Sequence, residues 1–147
     1  LDGVAQQTPS FFVWAVRDSH TAPLQRVQII KGYVDASGNP QEQVFDVACS
    51  DGGSPDPETY RCPDNNAKVD ISNCAFSQDV GATELKTFWS DPTFKTDQRA
   101  FYYVRALENP TCRWSTWDAV RNNVEPRSDI PKTIQERVWS SPIHYIP

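Results

Sequence analysis

The stretch RAFYYVRALENPTCRWSTWD (Arg99–Asp118) holds two of the five tryptophans, two of the five tyrosines and one of the four cysteines. Read with a period of two, it places Phe101, Tyr103, Arg105 and Leu107 on one face and Ala100, Tyr102, Val104 and Ala106 on the other. Alternation of aromatic and β-branched residues over these positions predicts a β-strand. Because apolar groups lie on both faces, we expect a central strand covered on both sides.

The end of this strand is marked by Asn109-Pro110, because proline has no N–H for a sheet ladder and disfavours helical angles in the residue before it. Beyond it, Ser115 to Asn122 is predicted to form a short helix. Ser115 would cap the helix, and Asp118, three positions later, would reach back to the cap.

Length and charge narrow the class of protein. The chain has 147 residues, which suits a single domain spanning residues 1–147 with a proper core. A net charge of −5 argues against a nucleic-acid partner, which requires clustered Lys and Arg. There is no apolar run long enough to span a membrane. Methionine is absent, even at position 1, so we expect the chain to be a fragment of a longer precursor.

The four cysteines, Cys49, Cys62, Cys74 and Cys112, are well separated along the chain. Structural zinc sites usually contain a close pair of cysteines, and this spacing provides none. An even number of separated cysteines predicts two disulfides formed in an oxidising compartment, either periplasmic or outside the cell. Four cysteines allow three connectivities, and the sequence leaves all three open.

Periodicity predicts several further strands, and twelve prolines with 12% aromatic residues favour an all-β fold. Lys31, in the predicted strand Leu24–Val34, would snorkel at a sheet edge, with its amine extended to solvent. The predicted strands are Phe11–Arg17 (central, covered on both faces), Leu24–Val34, Glu42–Ala48 (a hairpin with the preceding strand), Lys68–Phe76 (a short edge strand), Thr133–Trp139 and Ile143–Ile146.

The remaining segments are predicted to be loops and helical turns. Leu1–Pro9 is a polar lead-in, and Ser50–Asn66 is a long surface loop held by Cys49, Cys62 or both. Helical spacing of apolar residues predicts one or two helical turns over Ala82–Trp89. Together these elements predict an antiparallel β-sandwich, Ig-like or jelly-roll-like, with one or two short helices and long disulfide-tied loops.

No motif in the chain is typical of a particular enzymatic reaction, and we expect no catalytic residue in it. The two histidines, His20 and His144, are far apart; a solvated turn accounts for the first and an ordinary strand position for the second. The charges Arg105, Glu108 and Arg137 lie within aromatic strands. An Arg–carboxylate pair at a sheet edge explains them better than a substrate clamp.

Two kinds of ligand site have candidate residues. Asp51, Asp56, Glu58 and Asp64 could supply oxygen atoms to Ca²⁺, but their spacing matches no EF-hand loop and turn formation explains them equally well. We therefore expect no metal or other cofactor, with calcium as the alternative. A glycan platform would use the residues Arg113, Trp114, Trp117 and Tyr103. We favour instead the interpretation that Trp114 and Trp117, which share a helix face, pack down on the sheets.

Five segments together resemble the carboxyl-terminal end of a bacterial family, the domain of unknown function 3604. They are LQRVQIIKGYVD (24–35), FDVACSDG (45–52), GATELKTFWSDPTF (81–94), RAFYYVRALENPTCRWSTWDA (99–119) and TIQERVWSSPIHYIP (133–147). The resemblance implies a secreted precursor whose upstream part is similar to a PHP-type metal-dependent hydrolase. The metal-binding residues of that hydrolase would lie upstream of this chain.

From the residues and the resemblance we expect a non-catalytic, extracytoplasmic structural or assembly domain. A carbohydrate-binding module and a subunit that completes a neighbour's hydrolase site are the alternatives. The resemblance also implies that the β-domain begins upstream of Leu1, so that early strands are missing. One face of the strand Phe11–Arg17 would then be uncovered, either Phe11, Val13 and Ala15 or Phe12, Trp14 and Val16. We expect a protein to fill the gap, as an oligomer with another copy of the chain or as a complex with the upstream part of its precursor.

Overall fold

The structure is a computed structural model that describes residues 8–147, so most of the predicted lead-in, Leu1–Pro9, lies outside the described residues. The described part contains eleven short strands and one helix. Their bounds are β1 Ser10–Val16, β2 Leu24–Val34, β3 Pro40–Cys49, β4 Val69–Asp70, β5 Ala75–Phe76, β6 Glu84–Ser90, β7 Ala100–Glu108, β8 Thr111–Cys112, α1 Trp114–Arg121, β9 Thr133–Ile134, β10 Arg137–Trp139 and β11 Ile143–Tyr145.

Five strands form an antiparallel sheet, which we call the large sheet, in the order β10–β7–β2–β3 with β11 also pairing with β7. The prediction that the stretch from Ala100 is a central strand is confirmed, because β7 pairs along both of its edges. The predicted hairpin of β2 and β3 is also confirmed. Its turn is stabilised by Asp35, whose Oδ1 accepts the N–H groups of Ser37 and Asn39 at 2.9 Å.

Two strands, β1 and β6, form a second antiparallel sheet, which we call the small sheet. The prediction of helical turns over Ala82–Trp89 is wrong, because Glu84–Ser90 is strand β6. Leu85, Lys86 and Trp89 fit a helical period, but Leu85 and Trp89 also fit a period of two, and pairing with β1 selects the strand. The prediction of a central strand at Phe11–Arg17 is wrong as well, since among the strands of residues 8–147 β1 pairs only with β6.

The two sheets pack face to face, and the core lies between them. Phe45 of the large sheet contacts Trp89 of the small sheet with 5.0 Å between ring centroids, and Phe11 contacts Tyr102 at 4.9 Å. The buried core residues are Val13 and Leu85 from the small sheet and Leu24, Val27, Ile29, Phe45, Val47, Ala100, Tyr102 and Ala106 from the large sheet. The prediction of an all-β, sandwich-like fold with antiparallel sheets is therefore confirmed.

Lys31 does not snorkel at an edge, which corrects the sequence expectation. It lies on the core side of β2 and is buried, and its Nζ is 2.6 Å from Oδ2 of Asp91, just after β6. Lys31 also donates to the carbonyl oxygen and hydroxyl of Thr93, and the Tyr102 hydroxyl donates to Asp91 Oδ2 at 2.8 Å. The partner is distant in sequence, so no local pattern around Lys31 indicated the pair.

All four cysteines are oxidised, which confirms the predicted disulfides and resolves their connectivity. Cys49 pairs with Cys62, and Cys74 pairs with Cys112. The first bond closes residues 50–61, most of the long loop predicted over Ser50–Asn66, and we call them the disulfide-closed loop. Two disulfides indicate an oxidising, extracytoplasmic environment. Among the described residues, no helix has both the length and the apolar character needed to cross a bilayer.

The C-terminal third follows the predictions with small changes. The predicted helix is α1, but Ser115 does not cap it; Arg113 is the cap residue and makes no side-chain capping bond. Instead, its carbonyl accepts the N–H groups of Thr116 and Trp117. The strand predicted over Thr133–Trp139 is divided into β9 and β10. In the middle of the chain, the strand predicted over Lys68–Phe76 is instead two strands of two residues each, β4 and β5, which pair with each other.

Candidate functional site

The outer face of the small sheet carries large apolar side chains that nothing in the described chain covers. Alternation along β1 turns Phe11, Val13 and Ala15 toward the core and the intervening residues outward. The outward residues, with their exposed fractions, are Phe12 (55%), Trp14 (59%) and Val16 (65%) from β1 and Phe88 (79%) from β6. We call these four residues the bare face.

The cross-strand register assembles the bare face into one surface. Phe12 lies opposite Phe88, and their ring centroids are 4.8 Å apart. Trp14 lies opposite Lys86, and both donate to Glu84, at 3.0 Å from the indole nitrogen and 2.8 Å from the amine. These two hydrogen bonds, that of Lys86 first, lower the pKa of Glu84. The charges of Glu84 and Lys86 offset each other, so the surface combines apolar groups with an electrostatically neutral rim.

An apolar groove of about 370 Å³ continues from the bare face around the edge of β1 that pairs with no described strand. Trp14 and Val16 belong to both surfaces, and no residue of β6 lines the groove. Its other wall comes from the inner face and edge of the large sheet. The main apolar residues of that wall are Leu24, Val104, Ala106, Val138 and Trp139. The groove therefore lies where a further strand beside β1 would cover the core.

The sequence anticipated part of this surface. Of the two alternatives for the uncovered face of the first strand, the structure selects Phe12, Trp14 and Val16. Phe88 was missed because its segment was predicted to be helical. The alternation in ELKTFWS, with Phe88 out of phase with Leu85 and Trp89, is the signal that would have found it.

The candidates for a glycan platform lie on two separate elements. Trp114, 73% exposed, and the partly buried Trp117 are on α1, beside the cap residue Arg113, whose Nε donates to the Pro131 carbonyl. Tyr103 lies on β7, with its ring parallel to that of Phe101. The expectation that the Trp114 and Trp117 face packs down is wrong for Trp114, because the buried residues of α1 are Thr116 and Ala119.

The calcium candidates mostly hold the loops in which they lie. Asp51 accepts the Gly81 N–H and a bond from Ser50, and Asp56 accepts the N–H groups of residues 58 and 59. Asp64 accepts the N–H of residue 66. Glu58 is exposed and makes no hydrogen bond through its carboxylate within the described chain. No group of three potential ligands that could hold a metal ion occurs among residues 8–147.

The two histidines lie far from each other, and the charged residues of the strands contact other groups than the sequence predicted. His20 lies in a turn where its N–H donates to Asp18, and His144 lies opposite Phe101 at the sheet edge. Within residues 8–147, Arg105, Glu108 and Arg137 form no Arg–carboxylate pair, which corrects that expectation. Arg105 donates to Gln28, Glu108 accepts from Thr21 at 2.6 Å, and Arg137 donates to the carbonyl of residue 135.

Comparison with known proteins places the chain in a family. The family described as "Protein of unknown function (DUF3604)" matches residues 1–147, the whole chain. The chain belongs to this family. No curated protein and no solved structure matches it.

Proposed function

We propose that this family member is a non-catalytic, extracytoplasmic β-domain that docks through its bare face onto the upstream part of its precursor, as an accessory to the hydrolase implied there by resemblance. The observation that carries the proposal is the outward projection of Phe12, Trp14, Val16 and Phe88 from one face of the small sheet.

The energetics of this surface favour a protein partner. Monomeric proteins rarely expose large contiguous apolar patches, and those that do usually use them for binding. Burial of each large apolar side chain contributes about 1.5–3 kcal/mol. Covering the bare face and the adjoining groove would therefore supply a large part of the free energy of a stable complex.

The polar groups around the bare face indicate the chemistry of the partner. Glu84 is engaged by both Trp14 and Lys86, so the indole N–H and the amine are already bonded within the chain. A sugar or a charged ligand would find few free hydrogen-bonding groups in this region. An apolar, near-neutral protein surface fits it better.

The polar residues predicted as ligand candidates support a non-catalytic role. Asp51, Asp56 and Asp64 bind loop N–H groups, which gives these carboxylates a structural use. His20 lies in a surface turn, and His144 is beside Phe101 rather than a nucleophile. The activity of the whole precursor would then reside upstream, and this domain would support it in the periplasm or outside the cell.

Calorimetric titration of the separately purified upstream part with this chain tests the proposal. The double variant Phe12→Ser, Phe88→Ser removes two large apolar groups from the interface. At about 1.5–3 kcal/mol each, we expect affinity to fall by a factor of about one hundred or more. Trp114→Ser is the matched control, because it removes an exposed aromatic residue outside the small sheet, and its affinity should equal that of the wild type.

Two results would contradict the proposal. Equal affinity of the double variant and the wild type for the upstream part would show that the bare face does not lie in the interface. Light scattering of the chain alone at micromolar concentration provides the other result. A stable dimer that becomes monomeric in the double variant would show that a second copy, rather than the upstream part, covers the face.

A further inference from the structure

A second surface, on the outer face of the large sheet, gathers positive charge in a chain whose net charge is −5. Gln28 on β2 pairs across the sheet with Asp46 on β3 and with Arg105 on β7. Arg26, two residues earlier on β2, and Arg61, next to the disulfide at Cys62, approach the same aspartate. We call the three arginines Arg26, Arg61 and Arg105, with the concavity that they line, the arginine basin.

Asp46 does not neutralise the arginine basin. Its buried carboxylate is bound mainly by neutral donors, Gln28 Nε2 at 2.6 Å and the Cys62 N–H at 2.8 Å. The arginines lie farther away, with Arg26 Nε at 3.7 Å and Arg61 Nη1 at 3.5 Å from its oxygens. One carboxylate thus stands among three guanidinium groups, and two positive charges remain uncompensated.

Guanidinium N–H groups in the arginine basin remain without acceptors in the described chain. Arg26 Nε is buried and has no hydrogen-bond partner. Arg105 donates only through Nε, to Gln28 at 2.7 Å, and Arg61 makes a single long bond to Asp46. Buried polar groups in native proteins are nearly always bonded, and Asp46 Oδ2, 3.7 Å from Arg26 Nε, is too distant to satisfy this donor.

The space above these donors can admit a ligand. The concavity has a volume of about 310 Å³, and Val44 and Cys62 complete its walls. A larger concavity of about 630 Å³ adjoins it, shares Arg26 and Cys62 with it, and adds Arg113 and Arg137. Across both, five arginines line the surface and only two aspartates, Asp46 and Asp64, oppose them.

We propose that the arginine basin binds a tetrahedral oxyanion, the phosphate or sulfate group of a small molecule or a glycan. A carboxylate has two oxygens and is satisfied by the planar fork of one arginine. Three guanidinium groups that approach from β2, β7 and the disulfide-closed loop instead offer donors to three or four oxygens. This inference is independent of the docking role, because it concerns the opposite sheet.

Titration of the chain with inorganic phosphate and inorganic sulfate, followed by two-dimensional amide NMR at constant ionic strength, tests the proposal. We expect saturable shifts at residues 26, 28, 61 and 105. Arg61→Gln removes a half-exposed side chain with one long contact, so the fold should persist. Loss of one charge-assisted hydrogen bond should weaken binding about tenfold or more. Arg127→Gln, an exposed arginine outside the basin, is the matched control and should bind as the wild type does.

Asp46→Asn gives an independent readout, because it removes the negative charge that competes with the ligand and keeps the size of the side chain. Anion affinity should increase several-fold in this variant. The proposal is overturned if neither phosphate nor sulfate saturates, if Arg61→Gln binds both as tightly as the wild type, or if acetate binds as well as either. A phosphorylated and a sulfated monosaccharide, titrated in the same way, then distinguish the two sources of the group.

Discussion

The outer faces of the two sheets differ in what their side chains contact. On the large sheet, the outward residues Gln28 and Asp46 are buried and bonded to each other, and Asp46 also accepts the Cys62 N–H. On the small sheet, Phe12 and Phe88 contact each other and solvent. The chain therefore covers part of the outer face of the large sheet, whereas nothing in the described chain covers the bare face. This difference supports docking as the role of the small sheet.

The ion pairs of the two sheets show the same contrast. Lys31 and Asp91 form a buried pair beside the core, at 2.6 Å, with further bonds from Thr93 and Tyr102. Lys86 and Glu84 form an exposed pair on the small sheet, at 2.8 Å. Breaking a buried pair leaves an uncompensated charge, whereas water solvates the partner of an exposed pair. We therefore expect very different costs from equivalent substitutions.

The largest expected effect is that of Lys31→Met, which leaves the buried carboxylate of Asp91 without its cation. We expect the free energy of unfolding to fall by about 3–5 kcal/mol. Lys86→Met is the matched control and should cost about 1 kcal/mol or less. Denaturant unfolding with the disulfides intact measures both. Equal costs for the two variants would contradict the contrast between the pairs.

The disulfides provide the second prediction, because neither contains a residue of the small sheet. Cys49–Cys62 spans 13 residues and Cys74–Cys112 spans 38. By loop-closure entropy, replacing both cysteines of a bond with serine should cost about 3 kcal/mol for the first and about 4 kcal/mol for the second. Thermal unfolding of the two double variants gives the order, and the reverse order would show that strain or residual structure outweighs loop length.

The third prediction concerns acid. Burial alone would raise the pKa of Asp91, but hydrogen bonds from Lys31, Tyr102 and Thr93 outweigh it and lower the pKa below its usual value. The ionised form thus favours the folded state. Its contribution is complete above the pKa of an unfolded aspartate and is lost as the pH falls through the lowered folded value.

Asp91→Asn tests this assignment, because the amide does not titrate. The dependence of unfolding free energy on pH, measured from neutral pH down to strongly acidic solution, should be shallower in the variant than in the wild type. Glu84→Gln is the control; since Glu84 is exposed, the dependence should change little. If the free energy of unfolding depends on pH in Asp91→Asn as it does in the wild type, carboxylates other than Asp91 cause the acid sensitivity.

The smallest expected effect is that of Phe88→Ser. Phe88 is already exposed in the folded domain, so its removal should change the free energy of unfolding by no more than about 0.5 kcal/mol. Phe45→Ala, a truncation in the core, should cost about 3–5 kcal/mol. A large loss from Phe88→Ser in denaturant unfolding would mean that the bare face stabilises the domain itself, contrary to a docking role.

Several features of the fold could be predicted from local sequence. Alternation gave β2 with its observed bounds and gave β7 as a central strand, because both are long and keep a strict period of two. The even number of separated cysteines predicted two disulfides. Their pairing could not be predicted, since it depends on which loops the fold brings together.

The errors arose where distant contacts decide the structure. β6 is short enough to fit two periods, and only its pairing with β1 selects the strand. Lys31 is explained by Asp91, sixty residues away. The arginine basin was missed because Arg26, Arg61 and Arg105 are brought together by sheet register and a disulfide, neither of which appears as a motif.

Hydroxyl-radical footprinting of the chain alone and within its complex with the upstream part tests docking through the bare face most directly. Side chains that become buried lose their labelling, and Trp114 provides an internal reference outside the small sheet. The account predicts that labelling of Trp14 and Phe88 falls strongly in the complex and that labelling of Trp114 does not change. Equal labelling of Trp14 and Phe88 in the two states would contradict it.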